Sequence, residues 1–315
     1  MDDVTIFATE REVEADTGLE GAQLQYFWDK YGARVSRPRR REKWKSKLYF
    51  YLWFFFIHMG PSPTVRESWA GFRNAGDDWT GISHTTFYHE VVPVGLALEA
   101  IMSEIVYDDR LHPNNHYPPW AYHTTAIVDT LPIFVSEPSS FPAAKLLWQP
   151  KYKRHCYKMQ LGVTFMGNIV LWTGPHLGVT SDITIWRSTW QQHPFRSWEN
   201  WLADLGYVGA AGLLVKFKKR PRRRNRPPPP PLTRAQQRWN NVHEATRNRV
   251  ENVVRYVKNH RLFSGRVYKG KFATLSASLH TIGHMAAYKL RQRQRFSSYG
   301  PWPHAYSPAG QPNPP

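Results

Sequence analysis

The chain of 315 residues has a single cysteine, Cys156. One thiol excludes an intramolecular disulfide framework and any multi-thiolate zinc site, and it points to a reducing compartment. Long apolar runs are missing too. The one membrane-like stretch, Leu48 to Ile57, holds ten residues, whereas about 20 are needed to span a bilayer, so it reads as a buried core helix and no membrane role is expected. The opening MDDVTIFATEREVEAD has no apolar segment, so neither a secretory signal nor a transit peptide is expected. No G-x-x-x-x-G-K-[ST], G-x-G-x-x-G or G-x-S-x-G occurs, which removes the usual support for nucleotide hydrolysis, dinucleotide redox chemistry and serine hydrolysis. His243-Glu244-Ala245-Thr246-Arg247 puts an arginine where a zinc-binding HExxH needs its second histidine, and a guanidinium does not ligate zinc at neutral pH.

Charge is present in excess and unevenly spread. Lys+Arg number 42 against 24 Asp+Glu, a formal net charge of +18. Residues 1–30 carry eight acids and two bases, while residues 205–315 carry 22 bases and two acids. Such asymmetry is the electrostatic footprint of a polyanion partner, nucleic acid before an anionic membrane surface. A hydrophobic content of 41% and an aromatic content of 15% supply a real core, and the length suits about two domains.

Composition divides the chain into four regions. Residues 1–46 are polar, acidic then basic, and read as a disordered or helix-capping lead-in. Residues 47–120 read as helical, with helices at Lys47–His58, Val65–Arg73 and Ser83–Tyr107, the last broken near Pro93. Residues 121–293 read as α/β. Strands are expected at Ala126–Val135, Lys158–Phe165 and Asn168–Thr173, the last two joined by a tight Met166-Gly167 turn. A helix over Ser181–Gln191, capped by Thr180 or Ser181, comes next, then short strands near Trp201–Asp204 and Leu213–Phe217. Long helices open at Thr233 and Thr274, and a basic polyproline insertion occupies residues 218–231. Residues 294–315 read as a disordered tail. An antiparallel meander followed by crossovers is a ribonuclease-H-like order: a mixed sheet flanked by helices and preceded by a small all-α region.

Acids are scarce in the basic second half, so each survivor is informative. Asp129 sits inside an apolar strand, where a carboxylate is costly unless paired or metal-bound. Asp204 ends a short strand, Glu251 lies on a long helix and Asp182 starts a helix. Acids at strand ends with one on a later helix suit a two-ion Mg²⁺ or Mn²⁺ phosphodiester site, since hard cations take oxygen ligands. Other roles stay open for three of them: a turn for Asp204, helix ion pairs with Arg247 or Arg255 for Glu251, and the helix dipole for Asp182.

Five blocks occur in order between Ala126 and Leu290: AIVDTLPI, KYKRHCYKMQLGV, GNIVLWTGPHLGVTSDITIWR, LADLGYVG and LTRAQQRWNNVHEATRNRVENVVRYVKNHRLF. In this order the segment resembles the DDE superfamily endonuclease domain of Harbinger/PIF-type transposases and the nucleases derived from them, as a divergent, fungal-like member. The resemblance implies that Asp129, Asp204 and Glu251 are the D-D-E metal ligands and catalytic acids, with Asp182 an accessory acid. It implies a hydrolase of DNA phosphodiester bonds that uses two divalent ions, acts on double-stranded DNA and works with a separate Myb-like DNA-binding protein; a nuclear location, which the basic tracts KFKKRPRRRNR and RPRRREK suit as well as they suit a DNA clamp, and a homo-oligomer are expected beside it. Lys151, Lys153, Arg154, Arg247, Arg249, Arg255 and Lys258 are the expected backbone contacts. DDWTGISHTTFYHEVVPVGLAL (Asp77 to Leu98) resembles the family's helix-turn-helix segment, with His84, Thr85 and Tyr88 facing DNA; a helical support packed on the nuclease is the other reading. Two departures from the family pattern stand out. Thr130 directly follows Asp129 where Asp-Gly-Thr is common, and the Asp204-to-Glu251 spacing is lengthened by the polyproline tract. Both also suit a non-cleaving, transposase-derived DNA-binding protein.

Overall fold

The computed structural model describes residues 10–35, 43–59, 85, 87–112, 123–193, 195–218, 230–263 and 267–296. Six strands form its central sheet. β1 (Thr124–Phe134), β3 (Arg154–Thr164) and β4 (Ile169–Leu177) are an antiparallel meander, and the two-residue β2 (Trp148–Gln149) pairs with the start of β3. β5 (Asn200–Leu202) and β6 (Leu213–Leu214) add in parallel on the other side of β1. The order across the sheet is β4-β3-β1-β5-β6, the ribonuclease-H-like order expected from the sequence. Gly167, with φ 92°, makes the β3–β4 turn at the expected Met166-Gly167.

Helices cover both faces. α1 (Glu10–Thr17), α2 (Gly21–Val35), α3 (Lys43–Met59) and α4 (Val92–Ile101) precede the sheet, and the short α5 (Phe141–Leu147) lies between β1 and β2. α6 (Asp182–Gln192) follows β4, and α7 (Arg234–Val257) and α8 (Phe272–Phe296) close the described chain. Ser181 caps α6, and Thr233 with Gln236 forms a capping box on α7. Strand alternation assigns the faces. Ile127, Leu131 and Ile133 of β1 pack with Val250, Val253 and Val257 of α7 and Ile282 of α8. Ala126 and Val128 pack instead with Trp186 of α6, Trp201 and Tyr207. The same alternation points Asp129 toward α7 and Thr130 toward α6.

Several limits differ from expectation, each for a physical reason. Residues 10–35, read as a loose lead-in, form two helices: Leu24, Phe27, Tyr31 and Val35 make one buried stripe that the polar average concealed. The Ser83–Tyr107 helix is shorter. A π-turn at Phe87–Val91 leads into α4, which has Pro93 in its first turn, where the missing N–H leaves no bond unmade. Beyond Ile101 the chain leaves the helix and makes a 3₁₀ turn at Tyr107–Leu111. The Val65–Arg73 helix, residues 219–229 of the insertion and the tail from residue 297 lie outside the described residues. The apolar run of α3 is core, with Phe50, Leu52, Trp53, Phe54, Phe56 and Ile57 buried. Among the described residues no helix is long and apolar enough to cross a membrane.

The N-terminal helices are fastened to the rest by buried charge. Glu104 accepts hydrogen bonds from Lys30 Nζ at 2.6 Å and Tyr31 Oη at 2.9 Å. Lys289 of α8 donates to Glu14 at 2.5 Å and to the Gly18 carbonyl at 2.9 Å. α4 buries Val92, Val94, Gly95 and Leu98. Its Gly95 allows a close crossing, since a Cβ there would stand 2.2 Å from the Trp53 ring.

Buried histidines make this assembly acid-sensitive. His58 and His260 hydrogen-bond through their Nδ1 atoms at 3.1 Å. Burial lowers His58 from 6.5 to about 4, helped by the cations Lys289 and Arg261, and His260 to about 3, helped by His58 and Lys289. Burial also lowers His243 and His284 to about 4. The unfolded chain takes up these protons near pH 6.5 and the fold does not, so stability is full above 6.5 and falls as pH drops toward 4. Each histidine contributes about 1.4 kcal/mol per pH unit in that window. The thermal midpoint is therefore expected to be at least about 10 °C lower at pH 5 than at pH 7; an unchanged midpoint by differential scanning fluorimetry would show that these histidines do not resist protonation in the fold.

Candidate active site

Register brings two of the expected acids together. Leu202 of β5 lies beside Ile127 of β1 in parallel pairing, so Asp204, two residues on, comes level with Asp129. The Asp129 carboxylate is fixed locally, because the Thr130 backbone N–H donates to its Oδ1 at 2.8 Å. From α7, Arg247 reaches both acids: Nη2 is 3.2 Å from Asp129 Oδ2 and Nη1 is 3.2 Å from Asp204 Oδ1. The guanidinium side chain is 14% exposed, Asp129 25% and Asp204 49%. The crevice thus deepens from Asp204 to Asp129. Burial pushes the Asp129 carboxyl above the usual range against the pull of Arg247 and the Thr130 N–H, and the negative charge of Asp204 adds to the rise.

Across the sheet a polar chain supports this pair. The Thr130 and Tyr207 hydroxyls hydrogen-bond at 2.8 Å, Gln160 Nε2 donates to Tyr207 Oη at 3.3 Å, and Thr189 Oγ1 donates to Gln160 Oε1 at 2.9 Å. Tyr207 is fully buried, and its ionisation is pushed up by burial. Asp182 lies on this side, with its Oδ2 3.0 Å from where a Cβ on Gly206 would be. Lys158 Nζ donates to Asp182 Oδ1 at 3.2 Å and to the Thr180 carbonyl at 2.8 Å. The expectations from sequence did not include Lys158, Gln160 or Tyr207. The available signal was weak: Lys158 heads an expected apolar strand, where a terminal lysine reads as solvated.

Glu251 stands apart. It is exposed on α7, one turn beyond Arg247 on the same flank of the helix. Among the described residues, no group of three His, Cys, Asp or Glu side chains could hold one metal ion. Arg247, an expected DNA contact, turns inward to the aspartates, and Arg249 Nη1 donates to the Phe165 carbonyl at 3.0 Å. Arg255 and Lys258 are exposed at the end of α7. Lys151 and Lys153 are exposed in the turn between β2 and β3, and Arg154 is exposed at the start of β3, seven residues down the strand from Leu161, the partner of Asp129. Upstream, Thr85 is exposed, whereas Tyr88, expected to face DNA, is half-buried with Lys271 Nζ 5.9 Å from its ring centre. His84 lies outside the described residues.

A mixed sheet of this order, with a carboxylate in the middle of β1 meeting one just past the end of the adjacent parallel β5 and a helix laid across them, defines the ribonuclease-H-like class. Within that class, residues 128–286, half of the chain, match the DDE superfamily endonuclease model, and the chain belongs to that family. The match contains Asp129, Asp182, Asp204 and Glu251. Neither a curated protein nor a solved structure matches the chain.

Proposed function

We propose that this chain is a metal-dependent DNA endonuclease of Harbinger-type transposase descent, with Asp129 and Asp204 as its central acids, Glu251 as the third and Asp182 as an accessory. The convergence of Asp129 and Asp204 on one cation carries the reading. That cation is the Arg247 guanidinium, and it tests the fit: two hard oxygen donors facing one positive charge suit Mg²⁺ or Mn²⁺, and Mg²⁺ is commonly held by one or two carboxylates and water. When bound, such an ion polarises a phosphoryl oxygen and makes water a better nucleophile. The chain does the positioning. The Thr130 N–H orients the Asp129 carboxylate, the Tyr207–Gln160–Thr189 chain holds the Thr130 side chain, and Lys158 keeps Asp182 beside Gly206. Engaging a second ion requires Glu251 to turn in from its exposed position. Double-stranded DNA held by the basic surface, a Myb-like partner protein or self-association, and a nuclear location complete the proposal.

The direct test is nicking of supercoiled plasmid with Mg²⁺ or Mn²⁺, comparing wild type with Glu251→Gln at matched DNA occupancy. Wild-type nicking that falls to background in the variant supports the three-acid site. A second reading, a non-cleaving DNA-binding derivative, is favoured by the separation of Glu251 and by Arg247 closing the acid pair. It predicts salt-sensitive DNA binding and no metal-dependent nicking in either protein.

A further inference from the structure

We propose that Arg247 is a built-in competitor for the divalent ion: its guanidinium occupies the place between Asp129 and Asp204, and metal loads only as that fork leaves. The inference rests on the metal-site reading above and goes one step further, to what sets the affinity. Three observations support it. Both terminal nitrogens are used, each 3.2 Å from a different carboxylate, so one side chain bridges an acid of β1 and an acid just past the end of β5. The site is deep enough for the pairing to matter, since Arg247 is 14% and Asp129 25% exposed. The Nε of Arg247 is buried without a hydrogen-bond partner among the described residues, so the side chain is held through its two charged contacts and little else.

Arginine suits this role because its planar fork matches two carboxylates at once and it keeps its charge at any physiological pH. A metal ion and the guanidinium cannot both sit between the same oxygens, so occupancy by one excludes the other. The apparent metal affinity is then the intrinsic affinity reduced by the fraction of molecules in which the fork is out. A fork that is in place nine times in ten weakens metal binding by about tenfold. Metal loading in turn frees a cation beside the acids, so one event turns a closed, arginine-bridged pair of acids into an open site with a mobile positive charge.

The experiment measures Mn²⁺ binding to the full chain without DNA, by titration calorimetry and by electron paramagnetic resonance of free Mn²⁺. Arg247→Gln is expected to bind at least about tenfold more tightly than wild type. Its thermal midpoint without metal is expected to be lower, and Mn²⁺ should raise it by more. Arg238→Gln, which removes the same charge from an exposed position on α7, controls for net charge and is expected to match wild type. If Arg247→Gln does not fold, Arg247→Lys serves, because it keeps the charge without the fork and is expected to tighten binding by a smaller factor. Equal Mn²⁺ affinity in wild type and the Arg247 variant overturns the competitor role alone, as does equal tightening by Arg238→Gln. Absence of Mn²⁺ binding in both wild type and Arg247→Gln overturns the metal-site reading as well.

Discussion

Asp129→Asn is expected to reduce metal-dependent plasmid nicking by about a hundred- to a thousandfold, the scale of losing one essential electrostatic group at a reacting centre. DNA retention at matched salt should stay within error, because the carboxylate contributes nothing to the basic surface. The fold should survive. Burial already disfavours the charged form of this side chain, and asparagine keeps an oxygen for the Thr130 N–H while removing the charge. Arg247 still has Asp204, so no cation is stranded. The expected signature is therefore lost cutting with an unchanged or raised thermal midpoint. Nicking by the variant at the wild-type rate would remove Asp129 from the mechanism.

Glu199→Ala is expected to produce the largest loss of stability. Its carboxylate, 3% exposed, accepts from Arg110 Nε at 2.6 Å and Nη2 at 3.0 Å, from Trp201 Nε1 at 2.9 Å, from the Arg196 backbone N–H at 3.1 Å, and from Thr125 Oγ1. Burial alone would raise its pKa; the bonds from Arg110, Thr125 and Trp201 outweigh that and hold the carboxyl below the usual range. Arg110 itself is 1% exposed, so truncation strips a buried guanidinium of its two carboxylate bonds, with the Asp108 carboxylate, the Tyr107 carbonyl and the Tyr107 ring among the contacts that stay. Breaking one side of a buried pair typically costs about 3–5 kcal/mol, which for a chain of this size lowers the midpoint by about 10 °C. Glu199→Gln should fall between alanine and wild type, since the amide oxygen retains one acceptor. A shift under about 2 °C for alanine would mean that the hub is dispensable.

Glu199 also marks where reading the sequence stops. It was legible as one of two acids between Pro138 and Ala203, yet nothing local in the sequence connects it to Arg110, 89 positions earlier. The sheet was readable because its signals are local: β-branched runs, a glycine turn, and Thr233 three residues before Gln236. Asp129 was readable because a charge in an apolar strand contradicts its surroundings. The Arg247 clamp was not. An arginine four residues before a glutamate predicts a helix ion pair, and only the parallel register of β1 and β5 creates a stronger site for that guanidinium across the crevice. The α1–α2 pair was hidden for the opposite reason, since its buried stripe is diluted by the charged residues around it.

The seven-residue run of β3 from the level of Asp129 to the exposed Lys151–Arg154 turn has a consequence in base pairs. At about 3.3 Å per strand residue the separation is roughly 23 Å, and B-form DNA rises about 3.4 Å per base pair. On the proposed cleavage reading, a duplex crossing the surface parallel to the direction of β3, with its scissile phosphate at the acids, would therefore meet the basic turn about seven base pairs away, two-thirds of a helical turn around. The footprint on one side of the proposed cut would end there, and charge-neutralising substitutions in the turn should shorten it without moving the cut.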